Sequence, residues 1–158
     1  MQADFALLIK NPWCMLAFGF GSGLSPKAPG TVGTLAALPL WLLMVHAFDK
    51  TWLLAIIALA FILGIKICQA ASDCLGVHDH GGIVWDEFVG LWLTLWFLPA
   101  SWLGLLLGFC CFRLFDILKP WPIKWLDNRV HGGFGIMLDD AVAAVPAVLL
   151  ALLILSWV

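Results

Sequence analysis

Apolar residues run along this chain in long blocks separated by short polar segments. Residues 34–48 and 51–69 are apolar and are joined by Asp49-Lys50, which predicts a helical hairpin with a tight turn. Residues 88–112 form a further, almost unbroken apolar stretch, and residues 141–158 read as a last apolar helix. The segments between are polar. Residues 70–87 carry His78, Asp79, His80, Asp86 and Glu87, and residues 113–140 carry Arg113, Lys119, Lys124 and Arg129. Residues 12–33 are rich in Gly, Pro, Ser and Thr and read as a loop stiffened by Pro26 and Pro29.

The 88–112 stretch decides the topology. Taken as one span, it gives four helices and puts the two polar segments on opposite membrane faces. Taken as two, it turns at Leu98-Pro99-Ala100-Ser101, where Pro99 stops one helix and Ser101 caps the next. The second reading is preferred. It gives helices over 83–98 and 101–119, about 24 and 28 Å long, slightly short of a bilayer core of about 30 Å. It also gathers Lys10, Lys27, Lys66, Arg113, Lys119, Lys124 and Arg129 on one face and leaves Lys50 opposite. The positive-inside rule then makes that face cytoplasmic, with the amino terminus inside and the carboxyl terminus outside. The expected fold is therefore all-α: one polytopic membrane bundle of about five helices, a single domain over 1–158. Gly104-xxx-Gly108 and Ala143-xxx-Ala147-xxx-Ala151 supply small-residue stripes for close helix contact.

Composition supports a membrane setting. Apolar residues make up 63% of the chain and charged residues 11%, against about 45–50% and about 25% in soluble proteins. A soluble fold of this size has too little interior to hide that surface. The formal net charge is −2, which offers nothing to nucleic acid. Trp41, Trp52, Trp102 and Trp157 at span ends fit an interfacial belt. No cleavable leader is expected, because Asp4 and Lys10 flank only a short apolar patch. The five cysteines make no CxxC pair and read as small hydrophobes.

Two stretches carry the chemistry. His80-Gly81-Gly82 precedes Asp86-Glu87, and His131-Gly132-Gly133 precedes Asp139-Asp140; each acidic pair stands at the mouth of an apolar helix. A single acidic residue there would simply complement the helix dipole. Two adjacent pairs repel, and near hydrocarbon that repulsion is poorly screened, so a shared cation is expected. Carboxylates favour Mg²⁺ or Mn²⁺. Zn²⁺ on His78, His80 and His131 is a weaker alternative, because no thiol or His-rich spacing supports it.

Arg113-x-x-Asp116-x-x-Lys119 places three charges on one helical arc. Mid-membrane, each would cost about 2.5–3.5 kcal/mol. They read either as a mutual pairing at the span end or as an anion clamp, with Asp116 helping the metal or orienting Arg113. The loop Gly21–Thr34, with Lys27, Thr31 and Thr34, opens a helix; alone it reads equally as a plain connection or as backbone amides offered to an anion, and the acidic pairs and Arg/Lys clamp favour the second. It is not a Walker loop, since no Gly-Lys-Ser/Thr follows the glycines. His78, His80 and His131 lie near the acids, where an imidazole protonates a leaving group or serves as a structural hydrogen bonder.

Metal, clamp and amide nest on one face point to phosphoryl chemistry on a lipid headgroup. Monoester hydrolysis needs up to ~10²¹-fold acceleration, and a general acid or base supplies only about 10²–10⁴. Cationic stabilisation of the phosphoryl group must supply most of the remainder. The alternative is a small ion or solute transporter subunit with charged helix ends.

Four segments then resemble one family: Gly21–Thr34, His78–Gly90, Phe112–Ile123 and His131–Asp140 are similar to the corresponding motifs of phosphatidylglycerophosphatase A. The resemblance covers nearly the whole chain. It implies a Mg²⁺-dependent, multi-pass phosphatase of the bacterial inner membrane, with its active site facing the cytoplasm. Such an enzyme acts on phosphatidylglycerophosphate among the membrane lipids and leaves phosphatidylglycerol and phosphate. On that reading Asp86, Glu87, Asp139 and Asp140 hold the metal, with Asp116 beside them. Lys27, Thr31, Thr34, Arg113 and Lys119 hold the phosphate, and His80 or His131 protonates the leaving oxygen.

Overall fold

A computed structural model describes residues 4–157. Helices are its only regular elements among these residues. Two short helices, α1 (Phe5–Lys10) and α2 (Pro12–Ala17), lead into a 3₁₀ stretch over Gly19–Leu24. The long helices follow: α3 (Pro29–Ala47), α4 (Lys50–Leu75), α5 (Trp85–Trp96) and α6 (Trp102–Leu118). A single turn, α7 (Ile123–Asp127), precedes α8 (Gly132–Leu155). By length and composition α3, α4 and α8 can each cross a membrane.

The expected turn at Pro99 is present. The Ser101 amide donates to the Pro99 carbonyl at 2.8 Å, and the Ser101 hydroxyl then caps α6 by accepting from Gly104. Helices α5 and α6 therefore run antiparallel, and both polar segments come to one end of the bundle. Helix α5 is shorter than the expected 83–98. Its 12 residues rise only about 18 Å: at its start Val84 is non-helical (φ −135°, ψ 6°) and donates its amide to the Ala17 carbonyl at 2.8 Å, and at its end Phe97 and Leu98 turn off with bonds to Thr94 and Leu95.

Residues 12–33 are more ordered than a loop. Pro12 starts α2 under an Asn11 cap that accepts from Trp13 and Cys14, and Pro29 starts α3 five residues before the expected Thr34. Cys14, Ala17 and Phe18 are buried, so this segment closes the site end of the bundle. The start of α8 also moves, from the expected 141 back to Gly132. Three glycines there read locally as breakers. Tertiary packing overrides this, because a Cβ at Gly133 would collide with the Ile65 carbonyl of α4. The Asp139-Asp140 pair consequently lies two turns inside α8, not at its mouth.

Helix α8 is the centre of the bundle, packed on α4, α5, α6 and α7. The small-residue stripes do the expected work. Ala143, Ala147 and Ala151 are fully buried, and Gly104 and Gly108 of α6 abut Pro99 and Leu95. Of the proposed aromatic belt, Trp52, Trp102 and Trp157 are exposed, but Trp41 is buried in the core. It packs inward because α3 presents the Ala37 and Trp41 side to the bundle.

Helices α5, α6 and α8 meet at Gly90. A Cβ there would fall 2.6 Å from the Phe112 ring and 3.1 Å from the Asp140 carbonyl. Gly90→Ala is expected to cost roughly 1–3 kcal/mol by overpacking. Gly81→Ala, with no atom within 4 Å of the new carbon, is expected to stay within about 0.5 kcal/mol of the parent. Thermal unfolding in detergent checks both; equal stability of the two variants would contradict this packing.

Candidate active site

The site lies where the first turn of α5, the end of α6, the second and third turns of α8 and the start of α3 converge. A cavity of about 350 Å³ opens there, lined by Gly30, Asp79, Asp86, Glu87, Arg113, Asp116, Lys119, Asp139 and Asp140 among others. Asp86, Glu87, Asp116, Asp139 and Asp140 are all buried.

Three of these carboxyls form a nucleus. Asp86, Asp139 and Asp140 each offer one oxygen, and the three oxygens lie within 4.8 Å of one another. Asp86 Oδ1 and Asp140 Oδ2 have no hydrogen-bond partner. A buried carboxylate oxygen without a partner is costly. Two such oxygens, with a third carboxyl, Asp139, close by, are all hard donors and fit a divalent cation of the Mg²⁺ or Mn²⁺ kind.

Glu87 stands apart from that nucleus. Its Oε1 accepts from Arg113 Nη1 at 2.8 Å, and its Oε2 is unpartnered. Arg113 Nη1 also bonds Asp116 and reaches Thr34 Oγ1 at 3.4 Å. Asp116 thus orients Arg113 and lies outside the three-carboxylate group. Lys119 bonds Asp139 and Asp127, the latter at 3.1 Å. Burial lowers the pKa of this ammonium. The hydrogen bonds and charges of Asp139 and Asp127 more than reverse that and hold it above the ordinary lysine value.

Backbone geometry shapes the rim. Ala28, Asp79 and Lys119 all line the cavity, and all three are non-glycine residues at left-handed φ values of 47°, 49° and 41°. Such conformations cost energy and cluster at functional sites. Gly30 lets α3 come close, since a Cβ there would strike the Glu87 carboxylate. That brings the first turn of α3, where amides lack helical partners, against the cavity.

The remaining sequence candidates sit farther out. Lys27 is exposed and Thr31 is half-buried, and neither lines the cavity. Thr34 is buried behind Arg113 and donates to the Gly30 carbonyl at 2.8 Å. His80 Nδ1 accepts from the Gly82 amide at 3.0 Å while its ring lies against Phe18. His131 is exposed and meets His78 edge to face at 5.5 Å, in a separate cleft with Lys66, Gln69 and Asp73. His78 Nε2 accepts from the Gly132 amide at 2.8 Å, so the two His-Gly-Gly loops are tied together.

Two site residues escape a reading of the sequence alone. Asp79 lies on the cavity rim, signalled only by its place between two histidines ahead of Gly81-Gly82. Asp127 pairs with Lys119, and nothing in its local sequence marks it.

Known proteins are similar to this chain over most of its length. The family model described as phosphatidylglycerophosphatase A matches residues 15–155. The chain is 51% identical over 144 residues to the phosphatidylglycerophosphatase A of Escherichia coli (strain K12), covering 90% of this chain and 83% of that protein. It is 47% identical over 150 residues to that of Haemophilus influenzae, covering 94% and 92%. No solved structure matches. The match to curated relatives spans the acidic, Arg/Lys and helix-start motifs together, and the chain belongs to the phosphatidylglycerophosphatase A family.

Proposed function

We propose that this protein hydrolyses the terminal phosphate of phosphatidylglycerophosphate, releasing phosphatidylglycerol and inorganic phosphate. The setting is the bacterial inner membrane, with the site facing the cytoplasm. The observation that carries the reading is the charge imbalance of the cavity. Five buried carboxyls face two basic side chains, Arg113 and Lys119, both already paired to them. A buried excess of negative charge needs a compensating cation, and a phosphomonoester is a substrate whose chemistry uses one. A transporter subunit would need charges spaced along a path; here they gather at one end of the bundle.

Asp86, Asp139 and Asp140 would hold the cation; their hard oxygen donors suit Mg²⁺, and Glu87 lines the same cavity. When bound, the ion supplies neutralisation and Lewis-acid polarisation at the phosphoryl oxygens. The chain's own residues then do the following. Arg113 offers its planar fork to two phosphoryl oxygens, and Asp116 holds that fork in register. Lys119 adds a point charge, kept protonated by Asp127 and Asp139. Amides at the start of α3, including that of Gly30, face the phosphate, and Thr34 braces Arg113 from behind. Hydrolysis consumes one water: its oxygen bonds to phosphorus and becomes part of the released phosphate as it gives up a proton, the bond from phosphorus to the glycerol oxygen breaks, and the departing glycerol oxygen takes a proton. His80 and His131 organise the loops around this site, through Gly82 and through the contact with His78.

Three results are expected. Chelation of divalent ions should abolish phosphate release from the detergent-solubilised protein, and added Mg²⁺ should restore it. Asp86→Asn and Asp139→Asn should each lower kcat by at least ~10²-fold; full Mg²⁺-dependent activity in both would refute the cation site. Arg113→Lys keeps the charge but loses the fork, and should lower kcat/KM roughly 10²-fold, read from initial rates on the lipid substrate.

A further inference from the structure

Helices α3 and α6 touch at the site end and part beyond it. Arg113 Nη1 and Thr34 Oγ1 link them at 3.4 Å. From the next residue of α3, and one turn back along α6, a cavity of about 750 Å³ opens between them. Leu35, Leu38 and Leu42 form its α3 wall, and Phe109, Leu106 and Trp102 form its α6 wall. No charged residue lines it. Spacings of three and four keep each set on one helical face. Seven rises from Leu35 to Leu42 make the groove about 10 Å long.

Its position is what gives it meaning. Phe109 is one turn before Arg113, and Leu35 directly follows Thr34. A phosphate held by Arg113 therefore has the groove mouth beside it, on the side that runs along the membrane helices. Pro39, mid-helix in α3 and without an amide proton for the helix ladder, also lines the groove.

We propose that this groove seats one acyl chain of the phospholipid substrate; the inference rests on the phosphatase reading and names the part of the substrate that the polar site does not hold. Continuity with the phosphate clamp selects that occupant. Lipid tails are as apolar as leucine, so the groove gains little from water exclusion. Its contribution is orientation: a seated chain fixes the headgroup relative to Arg113 and the carboxylates. The effect belongs to substrates whose chains are long enough to fill it.

The test uses the full chain in mixed micelles with two substrates, dipalmitoyl and dibutanoyl phosphatidylglycerophosphate. Leu38→Trp and Leu106→Trp fill the groove without touching the polar site. Each should lower kcat/KM for the dipalmitoyl substrate about tenfold and leave the dibutanoyl value within about twofold. An equal fall on both substrates, or no change on either, overturns the proposal. A dipalmitoyl substrate with a photoreactive group at the chain end should label α3 and α6, with competition by unlabelled substrate and not by phosphatidylcholine. Equal labelling by photoreactive phosphatidylcholine would make the groove a site for bulk lipid. Disulfide-linked pairs through Leu106→Cys would make it an interface between copies; either result overturns the proposal. Wild-type protein releasing phosphate from neither substrate would overturn the phosphatase reading instead, and the photolabelling would still decide the groove.

Discussion

Negative charge buried at the junction of α5, α6 and α8 is the constraint around which the rest is arranged. Asp86, Asp139 and Asp140 stand close enough to share one ion, and three buried carboxylates this close call for compensating positive charge. Arg113 and Lys119 come to the same place from the last turns of α6. Each is met by two carboxylates, so the basic groups are positioned by the acids as much as the reverse. Among the described residues the network leaves oxygens of Asp86, Glu87 and Asp140 unpartnered, so its hydrogen bonding is not closed within the protein.

Close helix packing makes that junction possible. Gly30 admits Glu87, Gly90 admits Phe112 and the α8 backbone, and Gly133 admits α4. In a membrane the association of helices depends on such contacts, because apolar side chains gain nothing by leaving lipid for protein. The same glycines therefore serve stability and site geometry at once. The amino-terminal segment adds a cover: α2 and the 3₁₀ stretch pack under the His-Gly-Gly loop through Phe18, Gly23 and Gly82.

Much of the site was legible along the chain because its parts are local. Each acidic pair is adjacent in sequence, and Arg113, Asp116 and Lys119 follow helical spacing, so their types and mutual faces required no tertiary information. Lys27 and Thr31 are candidates from the loop that opens α3, and His80 and His131 from their closeness in sequence to the acids; the structure places all four outside the cavity lining. Proximity along a glycine-rich loop says little about direction, since one left-handed residue turns the next side chain elsewhere. Asp79 and Asp127 show the converse: ordinary in sequence, they reach the site through a left-handed backbone and through the fold of α7.

Hydrophobic blocks, their lengths and the breaker at Pro99 determined a helical membrane bundle and the return of both polar segments to one end. Those features follow from backbone hydrogen bonding in lipid, which leaves each apolar block little choice but a helix. Tertiary structure alone decided where α8 begins, how short α5 is and which carboxylates share a centre. Glycine's local cost is outweighed only once a neighbouring helix fills the space it leaves, so no local rule places Gly132–Gly135 inside a helix. The split between Asp86, Asp139 and Asp140 on one hand and Glu87 and Asp116 on the other depends on Arg113, which pairs with Asp116 three residues on in its own helix and reaches across to Glu87 of α5. The first pairing is written in the helical spacing; the separation of Glu87 from its neighbour Asp86 is a matter of distances between helices, and adjacency in sequence carries no record of it.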